Sequence, residues 1–185
     1  MKIVCLLGSP RSDGNSAAIA KRFCETAEKL GSEVQTFALN KLTYKGCQAC
    51  KGCRTESDRC ILKDDLIEVL EAVRETDVLV LATPIYFGEI TSQLKGFIDR
   101  TYSYIGADHK PRLVPGKKLV FIQTQGDRDE NHFADIFPGY QSAFEWIGFK
   151  ESYLIRACGV MEKGEAEKRE DVMKLAETTA HSVIA

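Results

Sequence analysis

A basic excess is the first thing this chain lacks. Its 25 lysines and arginines are outnumbered by 27 aspartates and glutamates, for a formal net charge of −2. That balance argues against a dedicated nucleic-acid surface, yet it is mild for a pure electron carrier that docks by charge. Long apolar runs are missing too: no stretch approaches the ~20 residues of a membrane span. The short apolar run in MKIVCLLGSPR leads into a loop and no small-residue cleavage site follows it, so the expected setting is cytoplasmic. Histidines number only three, His109, His132 and His181, and they are scattered. Surface or loop roles are expected for all three, and no Ser–His–Asp arrangement can be assembled. The phosphate-binding patterns G-x-x-x-x-G-K-[ST] and G-x-G-x-x-G are both absent. There is no internal repeat and no low-complexity linker, so the 185 residues read as one domain, 1–185, large enough for a continuous core.

What is present is an alternation of short apolar runs with longer helical-period segments. KIVCLLG (Lys2 to Gly8), VLVLATP (Val78 to Pro84) and KLVFIQTQ (Lys118 to Gln125) read as strands buried on both faces. EVQTFAL (Glu33 to Leu39) alternates like an edge strand, and SYLIRACGV (Ser152 to Val160) supplies a fifth. Helices are predicted through Ile19, Phe23, Ala27 and Leu30, stopped at Gly31; through Leu66, Val69, Leu70 and Val73, with Asp64 and Asp65 as N-terminal caps; and through Leu94, Phe97, Ile98 and Tyr102. A fourth is predicted over about Phe133 to Ile147, with a disturbance at Pro138-Gly139, and a fifth over about Glu165 to Ile184. Five strands alternating with five helices give an α/β fold with a doubly wound parallel sheet. Ligands of such sheets bind beyond the carboxyl ends of the strands.

Three strand-end loops carry chemistry. GSPRSDGNS (Gly8 to Ser16) offers the hydroxyls of Ser9, Ser12 and Ser16, the Asn15 amide and the Arg11 guanidinium just before a helix N-terminus, a setting for phosphate. In ATPIYFGEITSQLKGFIDR (Ala82 to Arg100), Pro84 shapes the turn, Gly88 admits close approach, and Tyr86 and Phe87 present aromatic surface. TQGDRD (Thr124 to Asp129) ends the next strand. A ligand with a phosphate, a polyol tail and a flat ring matches these loops in order, and FMN is such a molecule. The segment Gly106 to Lys118 is a long basic connection, expected as a lid or an oligomer contact.

CQACKGCRTESDRC puts Cys47, Cys50, Cys53 and Cys60 within fourteen residues. The C-x2-C-x2-C spacing suits iron–sulfur ligation better than zinc, with Lys45, Lys51, Arg54 and Arg59 offsetting thiolate charge. Zinc, disulfides and reduced thiols remain alternatives. Cys5, Cys24 and Cys158 read as small buried hydrophobes.

Through GSPRSDGNS, the cysteine stretch with CILKDDL after it, and TPIYFGEITSQLKGFIDR, the sequence resembles the flavodoxin-like, FMN-binding NAD(P)H oxidoreductases, and within them the iron–sulfur flavoproteins. The resemblance implies a five-stranded sheet of order 2-1-3-4-5. It implies that Ser9, Arg11, Asn15 and Ser16 hold the FMN phosphate, and that Pro84, Ile85, Tyr86, Phe87 and Gly88 border the ribityl chain and ring, with Thr124, Gln125 and Gly126 beside them. It further implies a [4Fe-4S] cluster on Cys47, Cys50, Cys53 and Cys60. NAD(P)H is then the electron donor, and a quinone, a flavin, another small molecule or a redox protein the acceptor. The alternative is a non-enzymatic electron carrier between protein partners. No nucleic-acid or membrane partner is expected. A homodimer or homotetramer is expected, with the helix around Lys95 to Tyr102 as contact.

Overall fold

The computed structural model describes all residues, 1–185. The chain runs β1 (Lys2–Leu7), α1 (Asn15–Lys29), β2 (Glu33–Ala38), α2 (Gly52–Thr55), α3 (Leu66–Glu75), β3 (Val78–Tyr86), β4 (Glu89–Ile90), α4 (Ser92–Arg100), β5 (Lys117–Thr124), α5 (Ile136–Ile147), β6 (Phe149–Ala157) and α6 (Glu170–Ile184). The main sheet is parallel with order β2-β1-β3-β5-β6, and β4 pairs with β3. Setting β4 aside, this is the predicted order. No helix is long and apolar enough to cross a membrane.

The period-2 geometry of a strand explains the two cores. Ile3, Cys5, Val78, Val80 and Ala82 point to one face and pack under α1 and α6 with Ile19, Phe23 and Ala176. Their chain neighbours Val4, Leu6, Leu79 and Leu81 point to the other face, against Val69, Leu94, Phe97 and Phe144 of α3, α4 and α5. The chain leaves β1 toward β2 on one side and leaves β3 toward β5 on the other, so a crevice opens beyond the carboxyl ends of β1 and β3.

Several expected boundaries shift. β3 continues through Tyr86, so Pro84, Ile85 and Tyr86 are strand residues. Phe87 and Gly88 form the two-residue turn into β4, with φ of 50° and 88°, the positive-φ pair of a tight hairpin. Pro138 does not disturb α5: it is the third residue of the helix, where the backbone N–H has no intrahelical acceptor to lose. The last strand stops at Ala157 and does not reach Val160. Gly159, at φ 71°, turns the chain so that the Gly159 and Val160 amides donate to Asp127 O and Gln125 O at 2.8 and 3.0 Å. That fold-back places the residues after β6 over the crevice.

Candidate functional site

A cleft of about 290 Å3 lies at the carboxyl ends of β1, β3 and β5. Ten of the twelve residues expected to hold FMN line it: Ser9, Arg11, Asn15 and Ser16; Pro84, Ile85 and Tyr86; Thr124, Gln125 and Gly126. Phe87 and Gly88 do not, because the hairpin carries them past the rim. The Phe87 side chain is wholly exposed.

One end of the cleft is built by the start of α1. The helix has no side-chain cap and no acidic residue in its first turn. The amides of Asn15, Ser16 and Ala17 have no acceptor in the protein, while Ala18 N already donates to Gly14 O at 3.0 Å. All three residues are buried, so unpaired donors converge where the helix dipole favours negative charge. Ser9 Oγ accepts from Arg11 N at 3.0 Å and keeps its own proton free to donate. The Arg11 guanidinium is exposed at the rim and makes no ion pair or hydrogen bond.

Gly8 is required by contact. A Cβ there would lie 2.8 Å from Leu94 Cβ and 3.2 Å from Ala82 O. Thr91 Oγ1 donates to Gly8 O at 2.7 Å and accepts from Leu94 N at 3.4 Å, so one hydroxyl caps α4 and fastens it to the end of β1.

Two expected ligand side chains are engaged elsewhere. Asn15 Nδ2 donates to Glu162 O at 3.0 Å and its Oδ1 accepts from Ala166 N at 3.1 Å, which pins the segment after β6. Only its backbone amide is left without a partner. Gln125 Oε1 accepts from Arg156 Nη2 at 2.8 Å, and its Nε2 donates to Asp129 O and His132 O at 3.2 and 3.3 Å. It holds the loop after β5 in shape. In that loop His132 Nδ1 lies 2.6 Å from Asp127 Oδ2, and the hydrogen bond raises the imidazole pKa above its usual range.

Sequence reasoning missed Val160, Met161 and Lys163, which close the opposite wall of the cleft. Lys163 pairs with Asp13, whose carboxyl pKa is lowered by that contact. The signal was Gly159, a poor strand residue that marks the turn. The basic segment Gly106 to Lys118 contributes nothing to the cleft wall. Instead Arg112 Nη1 donates to Cys53 O, Asp58 O and Ser103 O at 2.7, 3.0 and 3.0 Å, bracing the cysteine loop.

Cys47, Cys50, Cys53 and Cys60 line a second cavity, of about 440 Å3, with Lys51, Ile61, Arg100 and Tyr102. Ala49 and Lys51 adopt φ of 52° and 60°, a strained run of the kind found at functional loops. As the side chains stand, no three Cys, His, Asp or Glu groups are arranged to hold a metal ion. The Cys53 thiol pKa is raised by burial first and then by the nearby Cys60, Cys50 and Cys47. All seven cysteines are unbridged. Cys5 and Cys24 are buried as expected, whereas Cys158 is half-buried and lines a separate arginine-rich cavity.

Of the expected offsetting cations, Lys51 lines the cavity, whereas two arginines are engaged elsewhere. Arg54 stacks on Tyr102 at 4.5 Å and Arg59 pairs with Glu71. The guanidinium that enters the thiol cavity is Arg100, whose side chain is fully buried. Asp64 does not act simply as a helix cap. It accepts from Leu66 N at 3.2 Å, and also from Arg100 Nη1 and Nη2 at 2.8 and 3.2 Å. Burial alone would raise its pKa, but the Arg100 bonds and the Lys45 and Leu66 amides lower it on balance. Asp65 instead accepts from Thr43 N at 2.7 Å.

A family profile described as a flavodoxin-like fold matches residues 1–181. An iron–sulfur flavoprotein of Archaeoglobus fulgidus is 34% identical over 132 residues, 70% of this chain and 58% of that protein. An FMN-dependent NADH:quinone oxidoreductase of Stenotrophomonas maltophilia is 25% identical over 199 residues, all of this chain and 97% of that protein. The chain spans between 52% and 64% of the length of three iron–sulfur flavoproteins that it matches. Among solved structures, the NAD(P)H:quinone oxidoreductase from Methanothermobacter marburgensis superposes with a TM-score of 0.79 at 19% identity, over 100% of this chain and 98% of that one. The chain belongs to the flavodoxin-like fold family.

Proposed function

We propose that this protein is an FMN-dependent oxidoreductase that takes electrons from NAD(P)H and delivers them to a quinone, a flavin or another small acceptor. The observation that carries the reading is the cleft: three unpaired α1 amides, Ser9 and Arg11 at one end, and the exposed face of Tyr86 with Ile85 and Met161 further along. The donor set fits a phosphate dianion, because every free group there is an N–H, an O–H or a cation. Bound FMN supplies the ring chemistry, which explains why no acid–base dyad is needed at the cleft. Arg11 and the α1 amides anchor the tail; Thr124, Pro84 and the Gly126 backbone lie along the middle; Tyr86 borders the ring. The names of the Stenotrophomonas and Methanothermobacter relatives support the same reaction class.

The thiol cavity supports an added electron-transfer role. Four sulfurs around one volume suit a polynuclear iron–sulfur centre, with Cys47, Cys50, Cys53 and Cys60 as its ligands. The Archaeoglobus fulgidus relative's name agrees. Clustered thiols favour a reducing, cytoplasmic setting. A homodimer or homotetramer, meeting through the α4 face that carries Lys95 and Tyr102, belongs to the same proposal.

The test is anaerobic purification, a visible spectrum, iron and sulfide assays, and stopped-flow mixing with NADH or NADPH. Flavin bands that bleach with either nucleotide are expected, together with about four irons per chain for the cluster. Flavin that neither nucleotide reduces would leave the carrier role instead. Failure to retain added FMN would end the proposal, whereas flavin without iron would remove only the cluster.

A further inference from the structure

We propose that Arg100 sets the potential of the thiol site, by donating a hydrogen bond to the Cys60 sulfur from inside the protein. This rests on the iron–sulfur reading above. Arg100 Nε lies 3.0 Å from Cys60 Sγ, Nη1 donates to Lys45 O at 2.9 Å and Nη2 to Leu62 O at 3.4 Å, and the fork grips Asp64. Four groups on the cysteine loop and its exit therefore converge on one buried cation.

Burying a guanidinium costs several kcal/mol that only well-made contacts offset. Asp64 and the two carbonyls account for both Nη atoms. They leave the Nε proton aimed at sulfur. A neutral thiol is a weak acceptor, so this contact gains most when the sulfur carries negative charge, as a metal-bound cysteinate does. An N–H donor and a positive charge at a ligand sulfur favour the form of the centre with one more electron, which raises its reduction potential. Asp64, held on the far side of the fork, moderates the effect. Arg112 braces the same loop but donates only to carbonyls, so the effect on potential belongs to Arg100.

The experiment uses the full chain, loaded anaerobically with iron and sulfide and titrated with dithionite. Each step adds one electron to the centre, followed by the electron paramagnetic resonance of its reduced form. Asp64→Asn keeps the side-chain size and removes the moderating charge, and the potential is expected to rise. The double variant Arg100→Met/Asp64→Asn removes the N–H donor at sulfur and both charges together, and leaves no buried ion alone. Its potential is expected to fall below wild type, by about a tenfold change in the reduction equilibrium, or ~59 mV for one electron. A merely structural Arg100 would change iron content or stability without these opposite shifts. Loaded variants that titrate like wild type would overturn the role of Arg100 alone. If the double variant does not fold, Asp64→Asn decides, and an unchanged or lowered potential overturns the proposal. Wild type that takes up no iron overturns this role and the cluster reading together.

Discussion

Replacing Arg11 with alanine separates recognition of a phosphate from recognition of a ring. The guanidinium has no partner within the protein, so the substitution leaves no buried group stranded and the fold should be unaffected. A hydrogen bond to a charged group contributes about 1.5–3 kcal/mol. Arg11 is exposed, which puts the loss at the lower end, about 1.5 kcal/mol, or roughly tenfold in Kd. The α1 amides and Ser9 stay in place, so FMN binding should weaken without vanishing. Riboflavin has the same ring and tail but no phosphate, and its affinity should change by less than about twofold. Titrations followed by flavin fluorescence, with both ligands on both proteins, give the cycle directly. Raising the salt should narrow the wild-type advantage for FMN, because an exposed charge is screened. Equal weakening toward FMN and riboflavin, or no weakening toward either, would refute the placement of the phosphate at α1.

Other expectations concern the frame around the site. Asp64→Ala strands a fully buried cation; because Asp64 itself is 15% exposed, the cost should lie near the low end of about 3–5 kcal/mol. At ~2–4 °C per kcal/mol this lowers Tm by about 6–12 °C, and a scan showing under ~2 °C would contradict the burial argument. Gly8→Ala puts a methyl against Leu94 Cβ and Ala82 O and should cost about 1–3 kcal/mol while loosening FMN; denaturant melts and flavin retention check both. His132 should titrate above ~6.5 because Asp127, and more weakly Asp129, favour its cation. The stability from this pair is therefore full below ~6.5 and lost as pH rises through the higher folded value. An NMR midpoint that Asp127→Asn fails to lower would disprove the pairing.

The strands were legible because buried parallel strands read as continuous apolar runs, and α1 and α3 because their stripes follow the helical period. What escaped depends on contacts between residues distant in sequence. Arg100 looks like an ordinary polar helix end until Asp64, 36 positions away, is folded against it. Asn15 and Gln125 advertise the right chemistry for a ligand, but residue type does not say which way an amide faces, and both turn toward neighbouring loops. Lys163 and Met161 entered the cleft only because the chain reverses at Gly159, in a stretch that reads as strand. Phe87 occupies a left-handed turn position without the usual Asn or Asp to announce it. The donor-rich end of the cleft was readable for the opposite reason: its donors are backbone and side-chain groups of one contiguous segment.

The guanidinium of Arg112, clasping three carbonyls around Cys53, has a consequence for how the molecule is assembled. Many small metal domains are shapeless until the ion arrives. Here the thiol loop is tied down by side-chain contacts, so the proposed cluster would be loaded into a chain already folded. About 13 Å of α4 separates Thr91, fastened to the end of β1, from Arg100, beside the sulfurs. Oxidative loss of the proposed inorganic centre should therefore leave behind a folded protein that still takes up FMN, awaiting repair.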